Sequence, residues 1–251
     1  MTRFLLRIAA LAFPLLATFG AAAADLTVSA AASLTNAFQE LKPLYEAAHP
    51  DTRVLLNFGA SGALLQQMAR GAPVDVFASA DQNTMDQAQK QALVDPSTRR
   101  NFASNTLVVI VPRGASAVPA SLADLTQPGY KRIAIGLPAS VPVGRYTKAV
   151  LEQAGLWQGI EPRTIGAQNV RQALDYAARG EVDAAFVYAT DATLMPDRVR
   201  VAFSVQSPMP VRYPIALSST SQQRDGARRF ISFIQSPTAQ AVLARFGFGK
   251  P

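Results

Sequence analysis

From Leu26 to Ala30 apolar and small residues follow the short period of a buried strand, and at Leu34 the period changes. Leu34, Phe38, Leu41 and Tyr45 recur at i, i+4, i+7 and i+11, which is one face of a helix. Ser33 stands at the change and is expected to be the helix N-cap. Pro43 falls inside the periodic stretch, so the helix is expected to kink or end near Lys42, with Leu44 and Tyr45 in a separate turn. A second unit follows the same plan. Arg53 to Phe58 reads as a strand, Gly59-Ala60-Ser61-Gly62 turns into a helix carrying Leu64, Leu65 and Met68, and Gly71 closes it. Pro73 to Ala78 reads as a third strand, with a helix beyond Asp81 to about Gln91.

Asn105 to Val111 is strongly β-branched and is expected to carry the chain into a second lobe. Pro112 to Gly129 reads as loops around a short helix near Leu122 to Leu125, and Ile133 to Ile135 as a short strand. A helix is expected from about Gly144 to Ala154, and another from Val170 to Arg179 after Thr164-Ile165 and Gly166-Ala167-Gln168-Asn169. Asp183 to Tyr188 reads as a buried strand and Val199 to Phe203 as a further one. Tyr213 to Leu217 is expected to return to the first lobe, followed by helices near Gln222 to Ile234 and Pro237 to Phe246. Strands that alternate with helices imply an α/β protein with parallel sheets, whose ligands sit at the carboxyl ends of strands. The expected division is residues 25–105 with 208–251 in one lobe and 106–207 in the other, with a cleft between them.

The first 24 residues change this picture by removing themselves from it. Arg3 and Arg7, the apolar run Ile8 to Phe19 and Ala22-Ala23-Ala24 before Asp25 read as a cleavable secretory signal peptide, which makes the mature protein periplasmic. Hydrophobic residues are 49% of the 251 and charged ones 16%, the balance of a packed globular chain. The net charge is +7, and removing Arg3 and Arg7 leaves +5, spread without a basic run, which excludes a nucleic-acid surface. There is no cysteine, so thiolate metal sites and disulfides are excluded. His49 is the one histidine and reads as a solvent-facing loop residue. That leaves Ser33 and Ser61 without a Ser–His pair, and neither lies in a G-x-S-x-G elbow. Asp75, Asp81, Asp183 and Asp191 read as strand-end and cap residues and not as metal ligands.

Four helix starts then stand out: Ser33, Ser61, Val143 with Gly144, and Asn169 with Val170. A helix start offers free backbone N–H groups and a partial positive charge. If two of the four belong to each lobe, closing the lobes brings all four to one point, where Tyr188 adds a phenolic O–H. Hydrogen bonds to a charged group are worth roughly 1.5–3 kcal/mol each, so six or seven donors could hold an anion with no cationic side chain. Donors without acceptors suit a fully deprotonated dianion such as sulfate or molybdate better than hydrogen phosphate.

At these residues the chain closely resembles the periplasmic molybdate-binding proteins of ABC transporters. The resemblance runs through Ala31-Ala32-Ser33-Leu34-Thr35-Asn36-Ala37, Phe58-Gly59-Ala60-Ser61-Gly62 and Gly71 to Gln82. It continues through Val141-Pro142-Val143-Gly144-Arg145-Tyr146, Asn169 to Leu174, Phe186 to Ala192 and Arg245-Phe246-Gly247-Phe248. It implies a two-lobed periplasmic binding protein of type II, monomeric and not an enzyme, that closes on molybdate or tungstate and delivers it to a membrane permease. By motif the ligand donors fall on Ser33, Ser61, Val143, Val170 and Tyr188. Val143 stands where the family often has alanine, and Gly62 where it often has a second serine. Sulfate is the competing ligand that the same neutral donors would suit.

Overall fold

The computed structural model describes residues 23–251. The leader read in residues 1–24 lies outside that range apart from Ala23 and Ala24. The first half contains β1 (Ala24–Ala31), α1 (Thr35–Ala48), β2 (Thr52–Gly59), α2 (Ser61–Ala69), β3 (Val76–Ala78), α3 (Gln82–Lys90) and β4 (Arg100–Asn105). There follow β5 (Leu107–Pro112), β6 (Ile133–Gly136), α4 (Pro142–Gln153), α5 (Trp157–Ile160), β7 (Thr164–Ala167), α6 (Val170–Ala178), β8 (Ala184–Tyr188), α7 (Ala189–Ala192) and β9 (Val199–Val205). The chain closes with β10 (Val211–Leu217), α8 (Arg224–Ile234) and α9 (Pro237–Arg245).

These strands form two five-stranded sheets, ordered β2-β1-β3-β10-β4 and β7-β6-β8-β5-β9. Each sheet opens with three parallel strands, and its fourth strand runs antiparallel to both neighbours. The two sheets are therefore built alike, with β1, β2, β3 matched by β6, β7, β8. In both, the first strand sits between the second and third, so the crevice at the switch of strand order opens at the carboxyl ends. The central strand β8 carries no charged residue, and all five of its residues are buried because helices cover both faces. At the edge, β2 starts by alternating, with Thr52 and Val54 buried and Arg53 and Leu55 exposed.

The chain passes between the sheets twice, from β4 to β5 at Thr106 and from β9 to β10 through residues 206–210. The two passages lie side by side, with Val211 paired to Asn105 and Leu107 to Val205. Among the described residues no helix is long and apolar enough to cross a membrane.

Several expected elements differ. The expected strand Asn105 to Val111 is two strands in different sheets, broken at Thr106. The first of them, β4, is mostly polar and turns only Phe102 and Ala103 fully inward, so no period marks it. β3 begins at Val76 and not at Pro73, because the Asp75 carboxylate takes the Thr27 N–H (2.8 Å) that strand pairing would otherwise use. α1 runs through Pro43 without ending. The carbonyl deprived of a partner is that of Gln39, which is exposed as Pro43 is, while Phe38, Leu41 and Tyr45 stay buried on the opposite face. His49 is half-buried, with its ring stacked on Tyr45 (centroids 4.3 Å) and Nδ1 3.1 Å from the Tyr45 carbonyl.

Candidate functional site

The three parallel strands of each sheet point their carboxyl ends at the same place. Their loops edge a small cavity, lined by Ser33 after β1, Ser61 after β2 and Ala80 after β3. From the other sheet come Val143 after β6, Asn169 and Val170 after β7, and Tyr188 at the end of β8. All five residues read from the sequence as donors face this one cavity. Its walls carry no charged side chain.

Each loop leaves a backbone N–H without a partner in its own turn for a local reason. Ser33 is not the N-cap of α1. It lies in a 3-10 turn, Ala32–Leu34, that precedes the helix, and its side chain makes no cap bond. Ser61 is likewise the first residue of α2 and not its N-cap, which is Ala60. In α4 the first position is Pro142, which has no N–H, so Val143 supplies the first donor of that helix. In α6 the Asn169 side chain accepts from the N–H groups of Arg171 (2.9 Å) and Gln172 (3.1 Å) and leaves that of Val170. Among the described residues no backbone carbonyl accepts from the N–H of Ser33, Ser61, Val143 or Val170 outside regular elements.

The hydroxyls are oriented by what they accept. Ser61 Oγ accepts from the Ala80 N–H at 3.0 Å, which leaves its own proton for the cavity. Ser33 Oγ lies 3.0 Å from the Tyr213 hydroxyl. Asn105 Oδ1 accepts from the Thr106 N–H, so its Nδ2 faces Thr190 Oγ1 (2.9 Å) and the Tyr213 oxygen (3.2 Å). The phenol thus accepts from Asn105 and donates to Ser33, and the Ser33 proton is also left to point into the cavity. Tyr188 is 1% exposed, and among the described residues its hydroxyl has no hydrogen-bond partner. Burial pushes the phenols of Tyr188 and Tyr213 well above 10, so both stay protonated donors.

Two arginines stand just behind the wall and cross from the second sheet's side to the first. Arg145 of α4 donates through Nε to Asp81 Oδ2 (2.8 Å) and through Nη2 to Thr84 Oγ1 (2.6 Å). Arg171 of α6 donates through Nη1 to Asn36 Oδ1 (2.8 Å) and through Nη2 to the carbonyl of Ser33 (3.1 Å). Its Nε is 2.6 Å from Asp191 Oδ1, an ion pair out of line for a good hydrogen bond. Burial pushes the Asp191 carboxyl up to about 6, and the Arg171 guanidinium only partly opposes this. Neither arginine is distinguished by sequence spacing, since each stands on an ordinary amphipathic helix.

The aspartates read as caps have structural partners. Asp81 caps α3 through the Thr84 N–H (3.1 Å), and Asp183 accepts from the N–H groups of Lys131 and Arg132. Asp191 also accepts from the Tyr188 N–H (3.3 Å).

Over residues 26–249 the chain matches the family described as bacterial extracellular solute-binding protein. It is 34% identical to the molybdate-binding protein ModA of Escherichia coli over 248 residues, covering 96% of this chain and 95% of that one. Identity to the molybdate-binding protein ModA of Haemophilus influenzae is 32%, covering 91% of each. The periplasmic molybdate-binding protein of Azotobacter vinelandii superposes with a TM-score of 0.77 at 24% identity, over 90% of this chain and 99% of that one. The sulfate-binding protein SubI of Mycobacterium tuberculosis superposes with the same TM-score at 19% identity, over 90% and 86%. At those identities the likeness is one of fold, and one fold serves two oxyanions. This chain belongs to the bacterial extracellular solute-binding proteins and is a solute-binding protein, not an enzyme.

Proposed function

We propose that this chain captures molybdate, and tungstate in the same way, outside the cytoplasm and delivers it to the membrane permease of an ABC transporter. The observation that carries the reading is Tyr188: a fully buried phenol with no partner, on the wall of a small cavity otherwise edged by serine hydroxyls and helix starts. A buried hydroxyl without a partner is costly, and a dianion accepting from it removes that cost. Ser33, Ser61, Val143 and Val170 supply the remaining donors. The wall carries no carboxylate, so a protonated oxyanion finds no acceptor for its proton. Kinship to molybdate-binding proteins at over 30% identity favours molybdate over sulfate.

In this reading residues 25–105 and 208–251 form one lobe and 106–207 the other, acting as a monomer, with residues 1–24 as a cleaved leader to the periplasm. Binding shuts the lobes around the ion, and Arg145 and Arg171 fasten them. Titration calorimetry of the ligand-stripped protein with molybdate, tungstate, sulfate and phosphate tests it. Micromolar or tighter binding of molybdate and tungstate, with sulfate and phosphate far weaker, is the expected result. A preference for sulfate would keep the donor site and replace the ligand, and no heat with any of the four would overturn the oxyanion reading.

A further inference from the structure

A wall without carboxylates does not by itself turn away an oxyanion that carries a proton, because a serine hydroxyl accepts as well as donates. What decides the matter is the group behind each serine. Behind Ser61 it is backbone, the Ala80 N–H at 3.0 Å. Behind Ser33 it is a side chain, Tyr213 of β10, whose hydroxyl is 3.0 Å from Oγ. The Tyr213 ring is fully buried and makes edge-to-face contacts with Phe102, Tyr188 and Phe248, at centroid distances of 6.2, 6.0 and 5.4 Å. Packing thus fixes where the phenol oxygen lies, and Asn105 fixes where its proton goes. Asn105 Oδ1 is held by the Thr106 N–H, so the two Nδ2 protons are committed to Thr190 Oγ1 and to the phenol oxygen. Among the described residues Ser33 is the one further partner of that phenol, and the phenol is the one partner of Ser33 Oγ.

We infer that Tyr213 is a specificity-determining positioning residue: it turns the Ser33 proton into the cavity, so that Ser33 donates to a bare oxyanion and does not accept from one that carries a proton. This rests on the oxyanion reading above and deepens it, since Tyr213 does not itself line the cavity. A protonated oxygen aimed at Ser33 meets the serine's own proton. Turning that proton away sets it against the one that Tyr213 presents. Sulfate and hydrogen phosphate are close in size and equal in charge and differ by this proton. Discrimination between them therefore belongs to the direction of hydrogen bonds and not to the width of the cavity.

The test is Tyr213→Phe, alone and combined with Ser33→Ala, titrated with molybdate at mildly alkaline pH, where phosphate is the hydrogen phosphate dianion. Sulfate and hydrogen phosphate are then measured by displacement of molybdate. Phenylalanine keeps the packed ring and removes only its oxygen. In Tyr213→Phe the molybdate Kd should weaken about tenfold, and phosphate should gain on sulfate by about the same factor as Ser33 becomes free to accept. The gain should vanish in the double variant, which has no Ser33 oxygen. Phosphate that gains nothing on sulfate in Tyr213→Phe would overturn the proposal. A gain that survives in the double variant would overturn it as well, because a loosened cavity would then be the cause. Failure of the wild type itself to bind molybdate would instead sink the oxyanion reading on which the proposal stands.

Discussion

A phenol whose oxygen is sealed from water and bonded to nothing is the least comfortable atom in the site, and its two states should respond oppositely to its removal. Tyr188→Phe deletes one donor to a charged ligand, so molybdate affinity should fall by roughly 1.5–3 kcal/mol, about ten- to a hundredfold in Kd. The same change removes a buried group without a partner, so the ligand-free protein should be as stable or slightly more so. Calorimetry and ligand-free denaturation separate the two effects, and a loss of both affinity and stability would mean that the phenol has an internal partner. Ser33 differs in kind. Its oxygen is engaged by Tyr213, which Asn105 engages in turn, so a hydroxyl chain from the passage between the sheets ends at the cavity. That direction of donation makes Ser33 a donor where an isolated serine could serve as either.

At the scale of elements, the helix starts were legible because a change from period two to period 3.6, followed by a glycine stop, is a local signal. That signal located Ser33, Ser61, Val143 and Val170 on one wall, although it put the first two one or two positions from their real place in the helix start. Arg145, Arg171 and Tyr213 were not legible, because their partners lie 180 residues away in the chain for Tyr213–Ser33 and 138 for Arg171–Ser33. No window of sequence holds both ends of such a contact. The Arg171–Asp191 pair has a consequence that pH can read. Asp191 titrates at 3.8 when unfolded and at about 6 when buried, so between those values the folded protein keeps a proton the unfolded chain has released. Its contribution to stability therefore falls as pH rises through that window and is level above it. The exposed Asp25 and the half-buried Asp95 are shifted downward and slope the other way, which makes the difference between proteins the useful quantity. Urea unfolding from pH 4 to 7 should show the wild-type stability minus that of Asp191→Asn declining up to about pH 6, and a flat difference would mean that Asp191 stays near its ordinary value.

For the whole molecule, the proposed donors are divided between two sheets between which the chain passes twice, at Thr106 and 206–210, and in the proposed reading that division gives binding its mechanical consequence. In the proposed reading neither lobe alone surrounds the ion, because Ser33 and Ser61 line the cavity from one side and Val143, Val170 and Tyr188 from the other. On that reading the ion draws the lobes together, and the bonds Arg145–Asp81 and Arg171–Ser33 fasten them when they meet. Arg171 carries the further argument, because its cross-lobe bonds reach Ser33 and Asn36 without touching the cavity. Small-angle scattering of the wild type should show a smaller radius of gyration with saturating molybdate than without it. Arg171→Met, which also leaves Asp191 buried without its counter-charge, should need more molybdate to reach the same compaction. A wild-type radius that ignores molybdate, while calorimetry reports tight binding, would mean that the ion enters a site already closed. The arginines would then be permanent braces and not fasteners that ligand binding sets.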